Sequence, residues 1–217
     1  MVKLSPSSLK LFRECPRCFW LAHNKEFKRP EGIFPSLPSG MDKILKAHFD
    51  AFRDKGALPP ELQELSGVKL FDNVDLLKVW TNNFKGISWT DAQGHVLRGA
   101  MDYVLKKSGK LIVLDFKTRG YPLKEDTAEM YQDQLDIYNF LLRKNGYATE
   151  DYAYLLFYHP EAVDATGHVK FHADLVRMDI SIRNAELFFA QALACLHGNM
   201  PKPSDECAFC AWLKAAP

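Results

Sequence analysis

The sequence predicts an α/β fold with a mixed central sheet flanked by helices, and three observations predict it. The stretch GAMDYVLKKSGKLIVLDFKT, residues 99–118, reads as a β-hairpin whose second strand is apolar on both faces, as a strand inside a covered sheet must be. Segments of helical spacing precede, separate and follow the segments that read as strands. Two C-x-x-C pairs, Cys15 with Cys18 and Cys207 with Cys210, stand at opposite ends of the chain, where a shared metal centre would join the termini.

The elements follow in order. SPSSLKLFREC opens a short helix with Ser5 as N-cap and Pro6 in its first position, leading into CPRCFWL. Residues 29–40, RPEGIFPSLPSG, are punctuated by Pro and Gly and read as a loop. SGMDKILKAHFDAFRDKG then reads as a helix that begins at the capping-box spacing of Ser39 and Asp42 and ends at Gly56. Met41, Ile44, Leu45, His48, Phe49 and Phe52 follow its apolar spacing, which places His48 on the buried face. A helix around NVDLLKVWTNNF and a strand near ISWTD lead to the hairpin, whose turn is KKSGK. A helix from about Asp126 to Lys144, strands at DYAYLLFYH and HVKFHADLVRMD, and a long helix over SIRNAELFFAQALACLHG come next. MPKPSDECAFCAWLKAAP closes the chain without a regular pattern. Residues 1–30 and 200–217 are expected to form one cysteine-bound terminal region.

Bulk properties narrow the function. A chain of 217 residues suits one domain spanning 1–217, and a second independent core would be a squeeze. With 47% hydrophobic and 25% charged residues, disorder is excluded. A formal charge of +1 provides no general basic film, so any nucleic-acid contact has to come from a local cleft. MVKLSPSSLKLFREC lacks the apolar stretch of a signal peptide, and no apolar run reaches the length of a membrane span. The expectation is a cytoplasmic protein with no membrane partner, in which five cysteines serve metal binding, catalysis or burial instead of disulfides.

The charges within the hairpin demand an explanation. Strand alternation puts Asp115 and Lys117 on one face, and antiparallel pairing brings Asp102 alongside Asp115. Two acids and an ammonium held partly away from water are costly unless they pair or hold a cation. Mg²⁺ and Mn²⁺ take carboxylate oxygens and leave positions for a phosphate, which is the chemistry of metal-dependent phosphodiester cleavage. The plainer reading is a cross-strand ion pair. His48 is either a hydrogen-bonded core histidine or a ligand that tilts the site toward Mn²⁺. Gln134 and Tyr138, at i and i+4 in QDQLDIYNFLL, are either a core-edge tyrosine with a polar neighbour or donors aimed at a phosphate or base. For the four cysteines an iron–sulfur cluster, zinc and unligated thiols are all open, whereas Cys195 reads as a small buried hydrophobe. Phe19, Trp20, Lys25, Phe27, Lys28 and Arg29 could line a channel for a single strand, but packing around a metal staple is the stronger reading.

A helical His, an Asp on one strand, DFK on the next, QLDIY on the following helix, and the opening LSPSSLKLFRECPRCFWL together resemble the RecB-like branch of the PD-(D/E)XK nuclease superfamily. That branch includes nuclease domains of bacterial recombination helicases and CRISPR-associated RecB-like exonucleases. The resemblance runs from Ser5 to Cys210 and implies a restriction-endonuclease-like sheet. It also implies a Mg²⁺- or Mn²⁺-dependent deoxyribonuclease, an exonuclease acting on single-stranded DNA or DNA ends in repair, recombination, or CRISPR- or phage-related processing. His48, Asp102 and Asp115 would then be metal ligands, the Phe116 carbonyl would complete the shell, and Lys117 would be the catalytic lysine. Gln134 and Tyr138 match the family's Q-x-x-x-Y motif. Cys15, Cys18, Cys207 and Cys210 would hold a [4Fe–4S] cluster, with Zn²⁺ as the alternative. Such clusters commonly take one cysteine upstream and three downstream, and this chain offers two and two. Asp115 stands where Glu is also common, and Met101 stands where a proline precedes the first acid in other branches. A protein that keeps the nuclease fold without turnover and binds nucleic acid is the rival reading, and an enzyme acting on RNA is a third.

Overall fold

The computed structural model describes residues 1–215. After a two-residue strand, β1 (Lys3–Leu4), Ser5 caps α1 (Pro6–Glu14) as its sequence requires. The Ser5 Oγ accepts from the Ser8 N–H at 3.3 Å, and the Ser8 Oγ accepts from the Ser5 N–H at 2.7 Å. Cys15, with extended backbone, is the joint between α1 and α2 (Pro16–Asn24).

The next helix, α3 (Ser36–Arg53), starts earlier than its capping pattern indicates, so residues 36–40 are helical and not part of a loop. Pro35 stands at its N-cap, and no side chain caps it. Pro38 falls in the first turn, where helical N–H groups have no intrahelical acceptor, so its missing hydrogen costs nothing there. Asp42 is therefore not spent on a cap. The chain leaves α3 through Gly56, whose φ of +65° suits a residue without Cβ.

β2 (Val68–Leu70), α4 (Val74–Trp80), β3 (Ile87–Thr90) and β4 (Val96–Gly99) precede the hairpin of β5 (Tyr103–Lys107) and β6 (Lys110–Thr118). Ser108 and Gly109 both have positive φ, as a two-residue turn of this twist requires. Then come α5 (Gln132–Lys144), β7 (Tyr152–Val163), β8 (Val169–Asp179), α6 (Ile182–His197) and α7 (Ala208–Ala215). α5 begins at Gln132, six residues later than expected, and α7 lies in the closing segment that had no regular pattern.

The strands form two sheets, not one. Five run in the order β2-β5-β6-β7-β8, with β6 and β7 parallel and the remaining pairs antiparallel, which is the mixed sheet the hairpin implied. Three short ones form β1-β4-β3. On one face of the large sheet, Phe49 of α3 packs on Tyr103 and Phe116, with ring centroids 5.3 and 4.9 Å apart. On the other lies α5, whose residues Leu135 to Leu142 are all buried. A helix buried all round must be covered on both sides, and the small sheet covers the far side of α5, with Trp89 edge-on to Phe140 at 5.1 Å. Among the described residues no helix is long and apolar enough to cross a membrane.

Candidate active site and metal centre

The site forms just ahead of β5, where β6 runs on past it. Tyr103, the first residue of β5, pairs with Leu114, and the same register continued by one residue sets Asp102 against Asp115. Past the first residue of β5 the Phe116 N–H finds no partner in that strand and donates to a side chain, Asp102 Oδ2, at 2.8 Å. The N–H and C=O of one extended residue point to the same side, so the Phe116 carbonyl also faces Asp102.

Alternation carries Asp115 and Lys117 to the face beneath α5. Lys117 Nζ pairs with Asp115 Oδ2, and the Asp115 side chain is 1% exposed. Gln134 secures both. Its Oε1 accepts from Lys117 at 3.2 Å, while its Nε2 donates to Asp115 Oδ1 at 3.3 Å and to Tyr138 Oη at 2.8 Å. One amide thus holds the acid, the ammonium and the phenol, and the four residues that sequence spacing singled out here are brought together.

α3 contributes two groups that the sequence reading missed. Lys46 Nζ lies 2.9 Å from Asp42 Oδ1 and 3.4 Å from Asp102 Oδ1. Burial, then the neighbouring Asp115, pushes the Asp102 carboxyl up to about 6, against the pull of Lys46 and Lys117. Asp42 is raised too, first by burial, with Asp102 adding to it. Burial works against the Lys117 ammonium, but Asp115 and Asp102 outweigh it and hold its pKa above the ordinary value. Lys46 is kept charged in the same way by Asp102 and Asp42. Burial, reinforced by the two acids of the hairpin, raises Tyr138 and keeps it a phenol.

Three carboxylates and two ammoniums therefore form a chain, Asp42 to Asp102 through Lys46 and Asp102 to Asp115 across the hairpin, with one more acid than base. Asp42 Oδ1 and Asp115 Oδ2 are buried and accept no hydrogen bond, although each lies against a lysine. Buried carboxylate oxygens are hard donors of the type a divalent cation takes, and here lysine ammoniums stand against them.

His48 points elsewhere. Its Nε2 lies 3.2 Å from Glu61 Oε2, and Glu61 Oε1 accepts from Tyr158 Oη at 2.9 Å. Tyr158 pairs with Thr118 and so shares the Phe116 face, across the sheet from Asp115. Asp42 and His48 are six residues apart, which at 3.6 residues per turn separates them by about 120° around α3. The helix offers Asp42 to Asp102 and turns His48 to the opposite flank of its buried stripe.

A cleft of about 300 Å³ opens beside this cluster, between α1 and the start of α5, lined in part by Lys10, Arg13, Tyr131 and Gln134. Lys117 Nζ lies 4.6 Å from the Tyr131 ring centroid, which connects cleft and cluster. Arg13 is held in a two-pronged pair with Asp133 at 2.9 and 2.8 Å, and Lys10 is exposed.

The second centre joins the chain ends. Cys15 immediately precedes α2 and Cys207 immediately precedes α7, so two positive helix ends meet the sulfurs. All four thiols are buried. Among the described residues they are the one group of three or more His, Cys, Asp or Glu side chains whose ligand atoms all lie within 4.8 Å of one another. Burial opposes the Cys15 thiolate, yet backbone hydrogen bonds from Ser204 and Cys18 bring that thiol down to about 6. Cys207 is lowered against its burial with the help of the Cys210 backbone, whereas burial pushes Cys18 and Cys210 up. Arg29 Nη2 lies 3.3 Å from Cys207 Sγ, and its Nη1 donates to Glu14 at 2.7 Å. Of the aromatics nearby, Phe19 is fully buried and Trp20 Nε1 donates to the Gly198 carbonyl at 3.0 Å, whereas Phe27 is exposed beside Phe209.

The family model described as the PD-(D/E)XK nuclease superfamily matches residues 35–215, a span that takes in Asp42, the hairpin acids, Lys117, Gln134, Tyr138 and the second cysteine pair. No curated protein matches the chain.

Proposed function

Because the chain belongs to the PD-(D/E)XK nuclease superfamily, we propose that it is a Mg²⁺- or Mn²⁺-dependent deoxyribonuclease that acts on single-stranded DNA or DNA ends. The observation that carries the reading is the Asp115–Lys117–Gln134–Tyr138 network, set against Asp102 just before β5 begins. Asp42, Asp102, Asp115 and the Phe116 carbonyl would hold the cation. Asp42 takes the helical position because its carboxylate, and not the His48 imidazole, is linked through Lys46 to Asp102. When bound, the ion would polarise a phosphoryl oxygen and acidify water.

The chain's own residues supply the rest. Lys117, held as an ammonium, offsets the negative charge that grows on the phosphoryl oxygens and orients the attacking water. Gln134 fixes Lys117 and Asp115 relative to each other, and Tyr138 fixes Gln134. The Phe116 N–H aims the Asp102 carboxylate. The preference for a single strand is supported by the cleft, which has the size of a nucleotide, with Tyr131 as a stacking face and Lys10 for phosphate. The four cysteines play a structural part and tie residues 1–30 to the C-terminal segment as one unit.

The test is cleavage of labelled single-stranded DNA, duplex DNA and RNA with Mn²⁺, by wild type and by Lys117→Ala. Expected is degradation of single-stranded DNA or of ends, lost by about 100-fold or more in the variant while DNA binding persists. Binding without cleavage by the wild type under any divalent ion would overturn the enzyme in favour of a nucleic-acid-binding protein. Cleavage confined to RNA would overturn the substrate.

A further inference from the structure

We infer that Cys15, Cys18, Cys207 and Cys210 hold a single zinc ion as a tetrathiolate, and not an iron–sulfur cluster. The spacing of the sulfurs carries the single ion against the cluster. Cys18 Sγ lies 3.5 Å from Cys210 Sγ and 3.6 Å from Cys207 Sγ, and Cys15 Sγ lies 3.9 Å from Cys210 Sγ. All four ligand atoms fall within 4.8 Å of one another. A tetrahedron with Zn–S bonds of ~2.3 Å has edges of ~3.8 Å, which matches these separations. A cube of four irons and four sulfides has to fit between its thiolates and spreads them considerably further.

The backbone supports the same ion. Each C-x-x-C pair opens a helix, α2 after Cys15 and α7 after Cys207, so the two halves of the centre are built alike. Two such pairs make the two-plus-two ligand set of a zinc site. Four thiolates around one divalent ion leave two negative charges. Arg29 at 3.3 Å from Cys207 Sγ, together with the two helix N-termini, offsets them. The identity of this ion does not depend on the nuclease reading, since no cysteine takes part in the carboxylate cluster.

The test uses the full chain, purified without oxygen from cells supplied with both iron and zinc, then dialysed against EDTA to clear the carboxylates. Metal content, acid-labile sulfide and the visible spectrum are measured for wild type and Asp115→Asn. Expected is about one zinc per chain in both proteins, no labile sulfide and no visible colour. Exchange with Co²⁺ should then give the intense bands of a tetrahedral cobalt tetrathiolate. Iron in place of zinc, either with an equal amount of labile sulfide and a broad brown absorbance or as a single sulfide-free ion, would overturn the inference. So would zinc that disappears in Asp115→Asn, or a metal-free native protein whose four thiols all react freely. Because the count is made on the wild type, a Cys207→Ser variant that fails to fold does not blunt it.

Discussion

Asp42 and His48 share one helix, and their partners decide which can serve the hairpin acids. Lys46 ties Asp42 to Asp102, whereas His48 closes a hydrogen-bonded chain through Glu61 to Tyr158 on the opposite face of the sheet. Replacing Asp42 by Asn should therefore abolish Mn²⁺-dependent cleavage by about 100-fold or more, with the loss visible as weakened Mn²⁺ binding in calorimetry. His48→Gln should leave cleavage nearly intact and lower stability by about 1 kcal/mol, since Glu61 loses one of its two partners. The reverse pattern would make the imidazole the ligand after all. Five residues of this site were legible because their relations are local: alternation joins Asp115 to Lys117, hairpin pairing adds Asp102, and i,i+4 spacing joins Gln134 to Tyr138. Asp42 was hidden because its spacing from Ser39 also reads as a cap, and only the rotation of α3 against the sheet separates it from His48.

Among the elements, α5 is the one both sheets share. It reaches the small sheet at Gly99 of β4, where an added Cβ would sit 2.7 Å from Tyr138 Cε1. The phenol that steadies Gln134 is thus seated on a residue without a side chain. Gly99→Ala should cost about 1–3 kcal/mol by overpacking and slow cleavage by displacing Tyr138. In a Tyr138→Ala background the same change should cost much less, because the opposing ring is gone. Urea midpoints for the four proteins check this, and additive costs would mean that the close approach carries no energy. The long elements were legible from their periodicity: α5, α6, β6, β7 and β8 lie near where the pattern puts them. β1, β2 and β4, of two to four residues, are too short to show a period, and they are the strands the pattern missed. α3 was shortened and α7 overlooked for different reasons. Proline in a first helical turn looks like a breaker, and a helix of eight residues behind a Pro- and Cys-rich stretch is too short for its periodicity to stand out.

For the whole molecule, an ion held by the four cysteines would close almost the entire chain into a loop: Cys18 and Cys207 are 189 residues apart. A cross-link of that span restricts the unfolded chain far more than it alters the folded one, by about 5 kcal/mol in the chain-entropy account. For a protein of this size each kcal/mol moves the melting temperature by about 2–4 °C, so removing the ion should lower it by about 10 °C or more. The carboxylate cluster should respond differently. It is built on β6, α3 and α5, and its donors are oxygens that a thiol-bound ion neither supplies nor shares. Mn²⁺ affinity measured well below the lowered transition should then be unchanged in protein stripped of its cysteine-bound ion, and equally in Cys207→Ala, while both melt early. Coincident melting of stripped and intact protein would remove the staple from the account of stability. A parallel fall in Mn²⁺ affinity would mean instead that the terminal region reaches the active site through α1, whose Arg13 grips Asp133 at the start of α5.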